Sequence, residues 1–86
     1  MNIRAKHRRR NAVTIAMAKL GLTVMALAQL AGVAYGRLDR LLQGETKTVF
    51  EEEIGRIAHV LSMSAPDVRS ALEEAAAAYR ARAAAE

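Results

Sequence analysis

The chain has 86 residues, no cysteine and a formal net charge of +4. That length makes one small domain with a marginal core, of a kind that often gains stability by oligomerising. Without cysteine neither a disulfide framework nor a thiolate metal site can form, and three aromatics (Tyr35, Phe50, Tyr79) are too few for the stacking platforms of a single-strand binder.

The charge is uneven. Arg4, Lys6, Arg8, Arg9 and Arg10 crowd the first ten residues, leaving eight Lys/Arg against nine Asp/Glu in the rest. Residues 1–10 therefore read as a flexible basic arm suited to tracking phosphates, or as a solubilising tail. A basic start before apolar residues has the outline of a signal peptide, but Lys19 and Gln29 interrupt the apolar stretch before the roughly 18 residues of a span. Neither export nor membrane insertion is expected.

Residues 11–86 read as one all-α domain, since Val, Ile and Thr fall at helical spacing and never alternate. Asn11 is a plausible N-cap, and Val13, Ala16, Met17 and Leu20 fall on one face of a first helix, about 11–20. Gly21 suits its left-handed stop. Thr23 caps a second helix, about 24–31, with Leu27, Ala28 and Ala31 inward. Gly32 ends it and Val33 points back to the core. A third helix, about 34–43, turns Leu38 and Leu41 inward, with Leu42 at the margin, and leaves Tyr35, Gly36, Arg37, Asp39 and Arg40 mostly outward. Gly44 closes it.

Residues 44–48, GETKT, form a loop. Thr48 and Glu51 make a capping box for a fourth helix, and Glu51, Glu52 and Glu53 complement its positive end. Phe50, Ile54, Ile57, Ala58 and Leu61 form its inner stripe. Gly55 costs up to about 1 kcal/mol relative to alanine and is read as a point of close packing. Ser64, Pro66 and Asp67 start a fifth helix, about 65–84, with Val68, Leu72, Ala75, Ala76 and Tyr79 on one face. Past Tyr79 nothing large remains to bury, and fraying is expected. Met17, Met25 and Met63 read as core filler, and His59 as a boundary residue rather than a ligand or base.

The stretch from Gly21 to Glu45 resembles the helix-turn-helix of the Cro and lambda-repressor-like (XRE-type) family. The matching residues are Gly21-Leu22-Thr23, Leu27-Ala28, Gly32-Val33, Leu38, Arg40 and Gly44-Glu45, with weaker likeness through helix one, Ile57-Ala58, Leu61 and Ser64. The resemblance implies a five-helix lambda-repressor-like fold with motif 23–43, a basic N-terminal arm and an extended C-terminal helix. It also implies a transcriptional regulator of double-stranded DNA, in the style of a phage or mobile-element repressor in a bacterial cytoplasm. The second motif helix would then enter the major groove. Arg37 or Arg40 would pair with guanine, Tyr35 would meet a thymine methyl or a phosphate, Asp39 would accept from cytosine or orient an arginine, and Gly36 would let the backbone approach. Phosphates would be met by Thr23 and the amides from Val24, by Thr46, Lys47 and Thr48, and by Arg4, Lys6, Arg8, Arg9 and Arg10. Three positions depart from the family: Val24 replaces a phosphate-binding glutamine, Ala34 a capping Ser or Thr, and Gly36 lowers helix propensity. Together they imply a looser reading helix.

A homodimer is expected, since one motif contacts few bases, with Val68, Leu72, Ala75, Ala76 and Tyr79 as the interface. The alternative is that Val68 and Leu72 close the monomer core. No catalytic grouping, metal, cofactor or small-molecule site is expected, and no enzyme. Two rival functions stand beside operator recognition. One is a protein-interaction module of antitoxin or inhibitor type. The other is an architectural DNA binder with little sequence preference.

Overall fold

The computed structural model describes residues 10–85, which form five α-helices and, among those residues, no strand. Helix α1 spans Ala12–Leu20, α2 Val24–Ala31, α3 Tyr35–Gln43, α4 Glu51–Leu61 and α5 Ala65–Ala85. Helix α1 starts at a reciprocal cap. Asn11 Oδ1 accepts from the Val13 and Thr14 amides, both at 3.0 Å, while the Asn11 amide donates to Thr14 Oγ1 at 2.9 Å. Two of the helix's four orphan donors are thereby satisfied locally. A bend of 96° separates α1 from α2. No single helix among the described residues is long and apolar enough to cross a membrane.

Val13, Leu27, Leu38, Ile57 and Val68, one from each helix, are fully buried and define the centre. Helix α2 packs on α4, α3 on α5, and α1 on both α4 and α5. Helix α5 is 21 residues long, about 32 Å at 1.5 Å per residue, and forms the floor of the fold. Ser64 Oγ accepts from the Asp67 amide at its start, as expected.

Several expectations are corrected. Leu20 is 55% exposed, although its spacing places it on the same face as the buried Val13 and Met17. Met25 is 57% exposed and is not core filler, although Met17 is buried. Helix α4 begins at Glu51, so Thr48 is not its cap. The flanking residue is Phe50, whose side chain has no acceptor, and only half a capping box exists: Glu53 Oε1 accepts from the Phe50 amide at 3.1 Å. Phe50 itself is 59% exposed and lies outside the inner stripe. Gly55 faces open space, so close packing does not explain it. The chain stays helical past Tyr79 to Ala85.

The correction with the largest consequence concerns α5. Val68, Leu72 and Ala75, with Ala71, are buried in this single chain. They close the core of the monomer and cannot also form a dimer face. Of the expected interface only Ala76 and Tyr79 keep partial exposure.

Candidate nucleic-acid interface

Helices α2 and α3 are joined through Gly32, which is left-handed at φ 68°. Its amide and that of Val33 both return to the Ala28 carbonyl, and Val33 is drawn into the core. Glycine adopts this conformation without the Cβ penalty, so the chain reverses in two residues. Leu38, Leu41 and Leu42 then anchor α3 from below. That fixes which residues face out.

The start of α3 is bare. Ala34 gives no side-chain cap, and the first α3 bond runs from the Leu38 amide to the Ala34 carbonyl at 2.9 Å. The amides of Tyr35, Gly36 and Arg37 are left to an outside acceptor. At the start of α2, Thr23 Oγ1 accepts from the Ala26 amide at 3.1 Å. The Val24 and Met25 amides remain open there, while the Val24 side chain is buried. Any phosphate contact at Val24 is therefore a backbone contact.

The outward residues of α3 do not behave alike. Arg37 is turned onto the fold. Its Nε donates to Glu53 Oε2 at 2.9 Å, and its Nη2 donates to Glu53 Oε1 and to the Thr48 carbonyl, both at 2.8 Å. Its guanidinium also lies 5.3 Å from the centroid of Phe50. Bidentate recognition of guanine needs two parallel donors on one edge of the fork. One edge is spent on Glu53, and the other has lost an Nη2 hydrogen to Thr48. Arg37 in this conformation is thus a brace between α3 and α4, and would have to leave Glu53 to read a base. The side chains of Arg37 and Glu53 are only 23% and 12% exposed. The hydrogen bond from Arg37 is the main influence holding the Glu53 carboxyl below its ordinary value, with the Phe50 amide assisting against burial. The same bond raises the Arg37 guanidinium.

Asp39 is also engaged, accepting from Gln43 Nε2 at 2.9 Å. That leaves Gly36 and Arg40 exposed one turn apart on the outer side of α3, with Tyr35 exposed at its first residue, and Arg40 makes no ion pair among the described residues. Met25, and Leu30 at 63% exposure, stand out on α2 of the same unit.

Thr46 and Lys47 lie in the loop beyond Gly44, on the wall of a cleft of about 240 Å³ whose opposite wall is α5. Thr48 is exposed, but its carbonyl already serves Arg37. Arg10 is exposed, whereas Arg4, Lys6, Arg8 and Arg9 lie outside the described residues. The expected site residues thus divide into an outer α3 surface, a loop that shares a cleft with α5, and a brace. The cleft residues Arg69 and Arg80 went unnoticed in the sequence. Their i, i+4, i+7, i+11 spacing with Glu73 and Ala76 was visible, but the loop they face was not. No protein-family model, curated protein or solved structure matches this chain.

Proposed function

We propose that this chain is a regulator of double-stranded DNA built on a lambda-repressor-like helix-turn-helix, with α3 entering the major groove and two copies binding a two-fold operator as a repressor. The observation that carries this reading is the outer surface of α3. Arg40 is exposed there without an ion pair among the described residues, one turn from Gly36, which keeps the surface low enough for close backbone approach, and Tyr35 is exposed at the start of the helix. The left-handed turn at Gly32 and the inward leucines hold that surface away from the core. Arg40 would pair with guanine O6 and N7, and Tyr35 would contact a thymine methyl or a phosphate. The arm would add phosphate contacts of no sequence preference.

Selection of bound sequences from a random duplex library tests the reading. The parent should enrich a two-fold motif with half-sites about 10–10.5 bp apart. Arg40→Ala should lose the guanine preference at one position in each half-site, a discrimination of about 1–3 kcal/mol. If parent and variant enrich the same sequences, α3 does not read bases through Arg40.

A second reading has its own observation. Met25 and Leu30 leave large apolar surface on α2. Burying each would contribute about 1.5–3 kcal/mol, and a phosphate backbone cannot bury them. A protein partner docking on α2 would. Co-purification of a stoichiometric protein that Met25→Gln/Leu30→Gln releases, with no nucleic acid bound, would decide for it.

A further inference from the structure

The structure brings α5 to the loop that follows α3, and the contact is close. A Cβ placed on Gly44 would fall 2.1 Å from the Ala75 carbonyl oxygen and 2.6 Å from the Ala76 amide nitrogen. The C-cap of α3 therefore rests on the α5 backbone, and the middle of α5, from Arg69 to Arg80, runs beside the loop that carries Thr46, Lys47 and Val49. Between them lies the cleft of about 240 Å³. Its apolar floor is Val49 and Leu72. Three cations, Lys47, Arg69 and Arg80, surround it against one carboxylate, Glu73. Arg69 is already paired with Glu51. Lys47 and Arg80 have no ion pair among the described residues.

We infer that this cleft is a phosphate-group site in which Arg80, from α5, joins Lys47 and the Thr46 hydroxyl around one oxyanion, supplied by the DNA backbone beside the segment that α3 reads. Three lines of chemistry lead there. The two cations come from segments far apart in sequence, and the Gly44–Ala75 contact holds those segments in fixed relation. A free ammonium and a free guanidinium supply several donors to an oxyanion, and the fork of Arg80 suits two oxygens of one phosphate. The location also fits. Thr46 is two residues past Gly44, at most about 7 Å along the chain, whereas a major groove is about 12 Å wide. A strand flanking a groove filled by α3 is therefore within reach of the cleft. The volume suffices for a phosphate group and residual waters at about 30 Å³ each. Glu73 weakens the site and serves to limit non-specific affinity.

This inference rests on the DNA-binding reading, and the test separates the two. Affinity for a random-sequence duplex is measured against salt for the parent, Lys47→Gln, Arg80→Gln, Glu73→Gln and, as a control, Arg56→Gln on the outer face of α4. Each phosphate contact contributes about 0.9 to the slope of log affinity on log salt. Lys47→Gln and Arg80→Gln should each flatten the slope by about that amount, Arg56→Gln should leave it unchanged, and Glu73→Gln should tighten binding on the order of threefold. If the parent binds duplex and Arg80→Gln keeps its slope, the cleft is not a phosphate site and the DNA-binding reading stands. If the parent binds no duplex, that reading falls, and titration of the full chain with inorganic phosphate decides the cleft. Amide shifts at Thr46 and Lys47 that Arg80→Gln abolishes would keep it as an oxyanion site, and their absence would overturn it.

Discussion

Arg37 and Arg40 are three positions apart on α3, so they lie about 60° from each other around the helix. They have opposite fates because of a residue that α3 does not contain. Glu53, sixteen positions on from Arg37, takes both of its parallel donors. Arg37→Ala should therefore act on stability. The loss is about 1.5–3 kcal/mol, since a partly buried, charge-assisted pair is broken, and it is measured by urea unfolding. Arg40→Ala should leave the unfolding midpoint within error and change base preference alone. The brace also has a pH signature. Glu53 is held below its ordinary value of 4.5 in the folded chain. Its contribution is complete above that value and is lost as pH falls through the lowered folded value. The Arg37 guanidinium is shifted upward by the same bond, so its contribution is complete throughout the acid range. Glu53→Gln should be less stable than the parent at neutral pH, and the gap should close on acidification below about 4.5. A gap that stays constant to pH 3 would mean the pair adds nothing. Periodicity placed Arg40 outward correctly, but Arg37 folds back against α4. It had no means of telling a brace from a free side chain, because the deciding contact is non-local.

At the scale of the element, the helix stops were the most legible feature, and their energetics differ sharply. Gly21, Gly32 and Gly44 all have positive φ and end α1, α2 and α3 as glycine punctuation suggested. Only Gly44 also meets another backbone. Gly44→Ala combines a left-handed penalty of about 1–2 kcal/mol with overpacking of about 1–3 kcal/mol. Because the obstructing atoms are the α5 main chain, no side-chain rotation relieves it. A fall in melting temperature of at least about 10 °C is expected, at about 4–8 °C per kcal/mol for a domain of this size. Helix α4 ends in the same left-handed geometry, but with Ser62 at φ 53°. Here the substitution runs the other way. Ser62→Gly removes the Cβ penalty at an exposed site and should raise the melting temperature by several degrees, for about 1 kcal/mol. Calorimetry on both variants tests the pair of signs. Ser62 was illegible because serine carries no signal for positive φ. The start of α4 departs from the sequence pattern for a related reason. Thr48 fits the capping pattern, but Arg37 claims its carbonyl, and the backbone continues extended to Phe50 before turning.

At the scale of the whole molecule, the question is what α5 is for. The sequence shows an apolar face on a long helix, and that pattern alone does not say whether the face meets its own chain or a second copy. Leu72 settles it geometrically, since it is 2% exposed with no partner present. The floor of the fold needs Val68, Ala71, Leu72 and Ala75 to seal α1, α3 and α4. A second copy that used this face would have to open the core, which costs far more than the interface returns. Leu72→Ala should therefore destabilise the monomer by about 2–5 kcal/mol through the cavity it leaves. The measurement that separates core from interface is the dependence on protein concentration. If Leu72 held two copies together, the difference in melting temperature between parent and variant would change on dilution, because subunit binding enters stability by mass action. With Leu72 inside one chain, that difference stays constant between dilute and concentrated samples. It does so even if the two copies on an operator pair through another surface. Such a surface has to be sought where α5 is not already committed, among Ile15, Leu20 and the exposed side of Tyr79.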